Sequence, residues 1–287
     1  MVLLLLIPLL MVSACGAGRV VVPVMTDPSA LAIPQGARVL SSPQATLDGI
    51  AAVLVKELGL PLPSAVTAYL YDSNTAFEQG LVHDARVSPA RAAELSVFAF
   101  GIARRGQVLL NTEASGIDVE WLRLIAHELT HVAQFELAGG EGRGEQWLAE
   151  GMADWVAFTA LERLGVDSIA RRRTVAAGGV RRQAALARSR LDLETLGSPR
   201  AFTIRHQQEG SLPTYQLAFL MADYLVRREG FQKLVGYFRM LGSGDRVAAF
   251  EQSFGQSIGA FEQEILAHLQ NRSEGASTAP SDAFPRK

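Results

Sequence analysis

His127, Glu128 and His131 stand in the pattern His-Glu-Leu-Thr-His, and the pattern lies in a run, Glu120 to Leu137, whose apolar residues recur at helical spacing. Residues four apart share one face of a helix, one turn above each other, so both imidazoles can meet a single cation. Between them Glu128 projects close enough to that face to take a proton from water bound to the cation. Two histidines at this spacing also occur as ordinary half-buried residues, and five positions with two of them free match by chance in many chains. A third ligand separates the two readings.

That ligand is expected on the next helix. The segment from Gly139 to Gly144 holds four glycines and must turn the chain back sharply. A second helix then runs from Gln146 to Leu164 and stops at Gly165. The short connection makes the two helices antiparallel neighbours, which brings Glu150 within reach of the ion. Two neutral nitrogens and one carboxylate form a three-ligand zinc site whose fourth position is left for water, the arrangement of catalytic zinc. A structural zinc site would close that position, usually with cysteine, and the chain's single cysteine is Cys15. Asp154 follows Glu150 by one turn and is expected to accept the outer N–H of a ligating ring, that of His127. With no metal and no imidazoles nearby, two acids one turn apart would repel slightly. Asp118 and Glu120 suit the start of the motif helix as cap and first-turn acid.

The His-Glu-Leu-Thr-His motif followed after eighteen residues by Glu150, within Trp147-Leu148-Ala149-Glu150-Gly151-Met152-Ala153, resembles the gluzincin zinc metallopeptidases. The spacing is that of the aminopeptidase N branch, and the wording around Glu150 is most similar to bacterial peptidase MA-like domains. The resemblance is firm over about 65–160 and looser to about 270. It implies Zn2+ held by His127, His131 and Glu150, Glu128 as general base, and peptide or protein as substrate. In the aminopeptidase N branch a downstream tyrosine stabilises the oxyanion, and Tyr215 stands at a comparable distance; a tyrosine at a helix start is also a common packing residue. Aminopeptidases of that branch carry a Gly-x-Met-Glu-Asn strand whose acid binds the substrate's amino group. The stretch Phe98-Ala99-Phe100-Gly101-Ile102-Ala103 has no acid, which argues for an endopeptidase. This strand and Val108 to Asn111 are expected to offer an edge to an extended substrate.

The rest of the chain has to position these groups. Its 287 residues suffice for a packed core, and 48% hydrophobic with 20% charged residues is a globular composition. A formal net charge of −2 gives no general attraction to nucleic acid. Met1 to Ala14 is an almost unbroken apolar run, too short for a spanning helix of ~20 residues but suited to a signal peptide. No basic residue precedes it. Val12-Ser13-Ala14-Cys15 resembles the lipobox of bacterial lipoproteins, implying cleavage before Cys15 and its lipidation. An ordinary cleaved signal with Cys15 near the cut is the plainer reading of the same residues. Either way the chain is expected to be exported to the bacterial cell envelope, anchored to the membrane at Cys15 if lipidated, at the outer membrane or in the periplasm of a Gram-negative cell.

Residues 15–45, with Pro23, Pro28, Pro34 and Pro43, read as a linker or an arm lying on the domain. A helix over 46–58, a strand over 65–71 and a hairpin of 98–102 with 107–110 follow. Beyond the motif helices, further helices are expected over about 166–190, 214–229, 231–241, 245–254 and 258–270. The expected fold is α+β: a small mixed sheet with a helix on the N-terminal side, the zincin helix pair, then an all-helical C-terminal half. The domain spans 46–270, and 271–287 reads as a disordered tail. Arg171, Arg172, Arg173, Arg181, Arg182, Arg188 and Arg190 are either a collector of anionic surface or a solvated face balanced by acids, the second being the commoner case. His83, His206 and His268 read as ordinary polar residues, His206 close enough to Tyr215 to approach the cleft. The rival function is an envelope lipoprotein that uses a peptidase-like fold for binding or assembly without turnover. Oligomeric state is not legible.

Overall fold

The computed structural model describes residues 18–113, 119–180, 190–242 and 244–275; Cys15, the cap expected at Asp118, most of the expected tail and Arg181, Arg182 and Arg188 lie outside them. The architecture is α+β, with a four-stranded mixed sheet toward the N-terminus and helices after it.

The sheet comprises β1 (Arg19–Val24), β2 (Val66–Tyr71), β3 (Gly101–Arg104) and β4 (Gln107–Asn111) in the order β1-β2-β4-β3. β2 and β4 run parallel, and the other two pairs are antiparallel. β1 falls inside the stretch read as an arm, and it turns Val22 and Val24 inward while Val20 and Val21 stay exposed. The β3–β4 hairpin closes through Arg105-Gly106, where Gly106 takes the positive φ of 70° that the turn needs. The hairpin starts at Gly101 and not at Phe98, because the N–H groups of Phe98 and Ala99 bond back to the Leu95 carbonyl at 3.1 and 2.9 Å. β4 is paired on both sides, which corrects the expectation that it offers a free edge. Of this hairpin, only β3 lies at the rim of the sheet.

Helix α1 (Pro43–Ala52) begins with Ser42, whose hydroxyl accepts the Ala45 N–H, and continues through one wider turn, Val53–Glu57. Helices α2 (Asn74–His83) and α3 (Pro89–Ser96), not foreseen from the sequence any more than the helices found later over 193–209, fill the crossover from β2 to the hairpin; Ser73 and Ser88 cap them. The motif helix α4 (Val119–Ala138) and its partner α5 (Gln146–Arg163) pack together. There follow α6 (Ile169–Val180), α7 (Leu193–Leu196), α8 (Pro199–Glu209), α9 (Ser211–Glu229), α10 (Phe231–Met240), α11 (Arg246–Phe254) and α12 (Ile258–Gly275). The expected helix from 214 starts at Ser211, since Pro213 sits in the first turn, where its missing N–H is not needed. Among the described residues, no helix is long and apolar enough to cross a membrane.

The described arginines of the basic segment are paired. Arg171 and Arg172 bind Asp167, Arg172 also reaches Glu120 and lies over the Phe158 ring, and Arg173 grips both oxygens of buried Asp223 at 2.7 Å. Arg190 faces Asp192 at 3.6 Å. For these residues the balanced helix surface is the arrangement observed.

Two packing features hold the site together. Trp147, fully buried on α5, stacks on Phe261 at 5.6 Å and meets Phe250 edge-on, anchoring the first turn of α5 to the C-terminal helices. On the same helix Gly151 packs tightly against α9: a Cβ there would lie 2.2 Å from the Ala218 carbonyl oxygen. Gly151→Ala is therefore expected to destabilise the fold by ~1–3 kcal/mol through overpacking. Gly178→Ala on α6, with nothing within 4 Å of the added methyl, is expected to stabilise by up to ~1 kcal/mol through helix propensity. Urea unfolding of both variants checks the contrast.

Candidate metal centre

His127 and His131 rise one turn apart on α4, and Glu150 meets them from α5. His127 Nε2 lies 3.2 Å from Glu150 Oε2 and 3.1 Å from His131 Nε2, and His131 Nε2 lies 3.4 Å from the same Glu150 oxygen. A tetrahedral zinc ion with bonds of ~2.0–2.1 Å has edges of about 3.3 Å between its donors. The three separations form one triangular face of such a polyhedron. Three donors of this kind at these distances, with His127 and Glu150 only 6% and 7% exposed, fit a divalent cation on one side and leave the fourth position toward the cleft.

The partners behind the donors come from the same two helices. Asp154, expected beside His127, places Oδ1 3.0 Å from its Nδ1, and the same oxygen accepts from Arg123 Nη1 at 2.9 Å. Arg123 also binds Glu120, which in turn holds Arg172 from α6. Gln146 Nε2 donates to Glu150 Oε1 at 2.7 Å, occupying the outer oxygen and leaving Oε2 to the histidines. His131 Nδ1 lies 2.8 Å from Gln134 Oε1. Sequence reasoning overlooked Arg123, Gln134 and Gln146, although helical spacing carried a signal. Positions 123, 127, 131 and 134 follow one face of α4, and 146, 150 and 154 one face of α5.

Burial and neighbouring charges set the proton affinities of these groups. Burial disfavours a charge on His127, yet the carboxylates of Asp154 and Glu150 outweigh it and raise its proton affinity to about 10. His131 shifts upward in the same way, burial being overcome by Glu150. Burial pushes the Glu150 carboxyl up, and the two rings more than reverse this and hold it below its ordinary range.

Glu128, 6% exposed, keeps its carboxyl above the usual range because it is buried, against the pull of both histidines. The first residue of β3 passes directly over it: a Cβ on Gly101 would lie 2.7 Å from Glu128 Oε1. With no side chain at 101, the strand runs close to the carboxylate without displacing it.

A cleft of about 720 Å³ opens over these groups, lined by Glu128, both histidines and Glu150 together with β3, the glycine-rich turn after α4, and residues of α8 and α9. Tyr215 lies in it, its ring 6.2 Å from that of His127 and edge-on to Phe202 and His206. Burial, and then the carboxylates of Glu150, Asp154 and Glu128, push its phenol well above the usual value, so it keeps its proton at neutral pH. His206 also lines the cleft, its ring 4.8 Å from Phe98, and burial lowers its proton affinity. His83 is exposed at the end of α2, and His268 packs on Tyr224; neither lines the cleft.

No protein-family model, no curated protein and no solved structure matches this chain.

Two outcomes are expected from the site's electrostatics. Because the carboxylates beside His127 raise its proton affinity to about 10, zinc uptake at pH 7 is expected to release protons, and apparent affinity to fall as pH is lowered from 8 to 5.5. Titration calorimetry in buffers of different ionisation heat counts the protons released. Asp154→Asn, which removes the charge behind His127, weakens zinc binding by ~10–100-fold, read by competition with a chelating dye.

Proposed function

We propose that the chain is a zinc-dependent peptidase of the gluzincin kind, acting on internal peptide bonds of polypeptides in the cell envelope. The observation that carries this reading is the convergence of His127, His131 and Glu150 donor atoms within 3.4 Å of one another, with buried Glu128 on the turn between the two histidines. A binding module has no use for a buried carboxylate at that position, whereas hydrolysis requires one.

When bound there, Zn2+ supplies a Lewis acid that polarises a carbonyl and makes water more acidic. The protein's own groups do the rest. Glu128, its proton affinity raised by burial, accepts a proton from the attacking water at its carboxylate and passes it to the leaving amine nitrogen. Tyr215, protonated at neutral pH, donates a hydrogen bond to the oxygen on which charge develops. β3, at the rim of the sheet and in the wall of the cleft, offers backbone N–H and C=O groups to an extended chain. The segment 98–103 bears no acid to capture a free amino terminus, and this supports an endopeptidase over an aminopeptidase. An exported chain anchored to the membrane through lipid at Cys15 remains part of the proposal, from the sequence alone.

The test combines metal analysis with digestion of a broad peptide library by the purified full-length protein, with and without chelator. Glu128→Gln is expected to retain zinc and to lose ~10²–10⁴ in kcat; His131→Ala loses zinc and turnover together. Full turnover by the glutamine variant would sink the assignment of Glu128. Stoichiometric zinc without any chelator-sensitive cleavage would point instead to a binding or assembly role.

A further inference from the structure

We infer that Gln134 is the positioning residue that decides which nitrogen of His131 faces the cation. The inference rests on the metal-site reading above and goes beyond its ligand set. A neutral imidazole carries one N–H and one lone pair, and only the lone pair can bind a metal. In His127 the choice is made by Asp154, an acceptor without ambiguity. His131 has an amide as its neighbour, and an amide presents either an acceptor or a donor depending on which way it is turned.

The backbone settles how this one is turned. Gln134 Nε2 lies 2.9 Å from the carbonyl oxygen of Ala149, and a carbonyl can only accept. The amide NH2 must therefore face α5, and Oε1 must face His131 Nδ1 at 2.8 Å. Two acceptors cannot share that contact, so Nδ1 carries the proton. The lone pair is left on Nε2, the atom 3.1 Å from His127 Nε2 and 3.4 Å from Glu150 Oε2. Gln134 is 2% exposed, so bulk water does not stand in for either contact. The carbonyl that begins this relay belongs to the residue just before Glu150, so one side chain ties the protonation pattern of the second histidine to the seat of the third ligand.

A glutamine that is only a strut between α4 and α5 would contribute to stability and leave metal binding alone, and this difference defines the test. Zinc affinity and metal-free unfolding midpoints are measured for the full-length protein, Gln134→Leu and Gln134→Glu. The ring N–H of His131 is observed by nitrogen-15 NMR in the zinc-loaded native protein. Expected are a proton on Nδ1 with zinc on Nε2, zinc affinity weakened by ~10–100-fold in Gln134→Leu, and affinity near the native value in Gln134→Glu, which keeps an acceptor opposite Nδ1. Zinc bound to Nδ1 of His131 in the native protein overturns the inference without any variant, as does unchanged affinity in a folded Gln134→Leu. If the native chain takes up no zinc, the metal reading fails and the inference fails with it; native binding with no effect of the substitution removes the inference alone.

Discussion

Everything around the centre of this protein answers one electrostatic constraint: two ring nitrogens and a carboxylate oxygen are held within 3.4 Å of each other in a region shielded from water. Lone pairs brought together at that distance repel, and burial removes the solvent that would screen them. The arrangement is tolerable only if positive charge lies among them. The carboxylates of Asp154 and Glu150 accordingly raise the proton affinity of His127 above that of a free imidazole. A divalent cation meets the same demand with more charge, and it replaces contacts between repelling donors by bonds to each of them.

The fold meets this demand by layers of partners, each fixed by the next. His127 is held by Asp154, Asp154 by Arg123, Arg123 by Glu120, and Glu120 by Arg172, whose guanidinium also packs on Phe158. The chain of alternating charge begins at the metal face and ends at the α6 surface, so no member is left as an isolated buried ion. On the other side Gln134 and Gln146 are neutral, and each directs one lone pair without adding charge. Where α9 closes on α5, Gly151 permits contact with the Ala218 carbonyl. The same helix carries Tyr215 into the cleft.

How far the sequence revealed this follows from the range over which each signal acts. His127, His131, Glu150 and Asp154 were legible because helical spacing and one short turn determine their relative placement. The expected strand over 65–71 and the helices from Ser211 onward were legible for the same local reason, as alternation or 3.6-residue periodicity, whereas α7 and α8 over 193–209 were not expected. Tyr215 was placed by resemblance alone, since sixty-five positions separate it from Glu150 and only packing of α9 on α5 brings it near. Helices α2 and α3 escaped notice although Ser73 and Ser88 stand as caps and Pro89 opens the second of them; at ten and eight residues they are too short for periodicity to stand out. β1 was hidden by Pro23 within it and Pro28 soon after it, for Pro23 on an edge strand gives up no ladder bond that the sheet needs. Gln134 and Arg123 share the ligand face of α4, but their types fit a solvated surface as well as a buried one.

The relation between β3 and Glu128 shows why the sheet and the helix pair are one site. A carboxylate acting as proton carrier must be dry enough to hold a proton and close enough to the substrate backbone to release it at the leaving nitrogen. In the proposed mechanism Gly101 serves both requirements, because the missing side chain lets β3 run against Glu128 while keeping a strand edge beside it. A side chain at 101 would collide with the Glu128 carboxyl group, so either the carboxylate or the strand would have to give way. The contribution of this glycine to the proposed site is an absence of atoms.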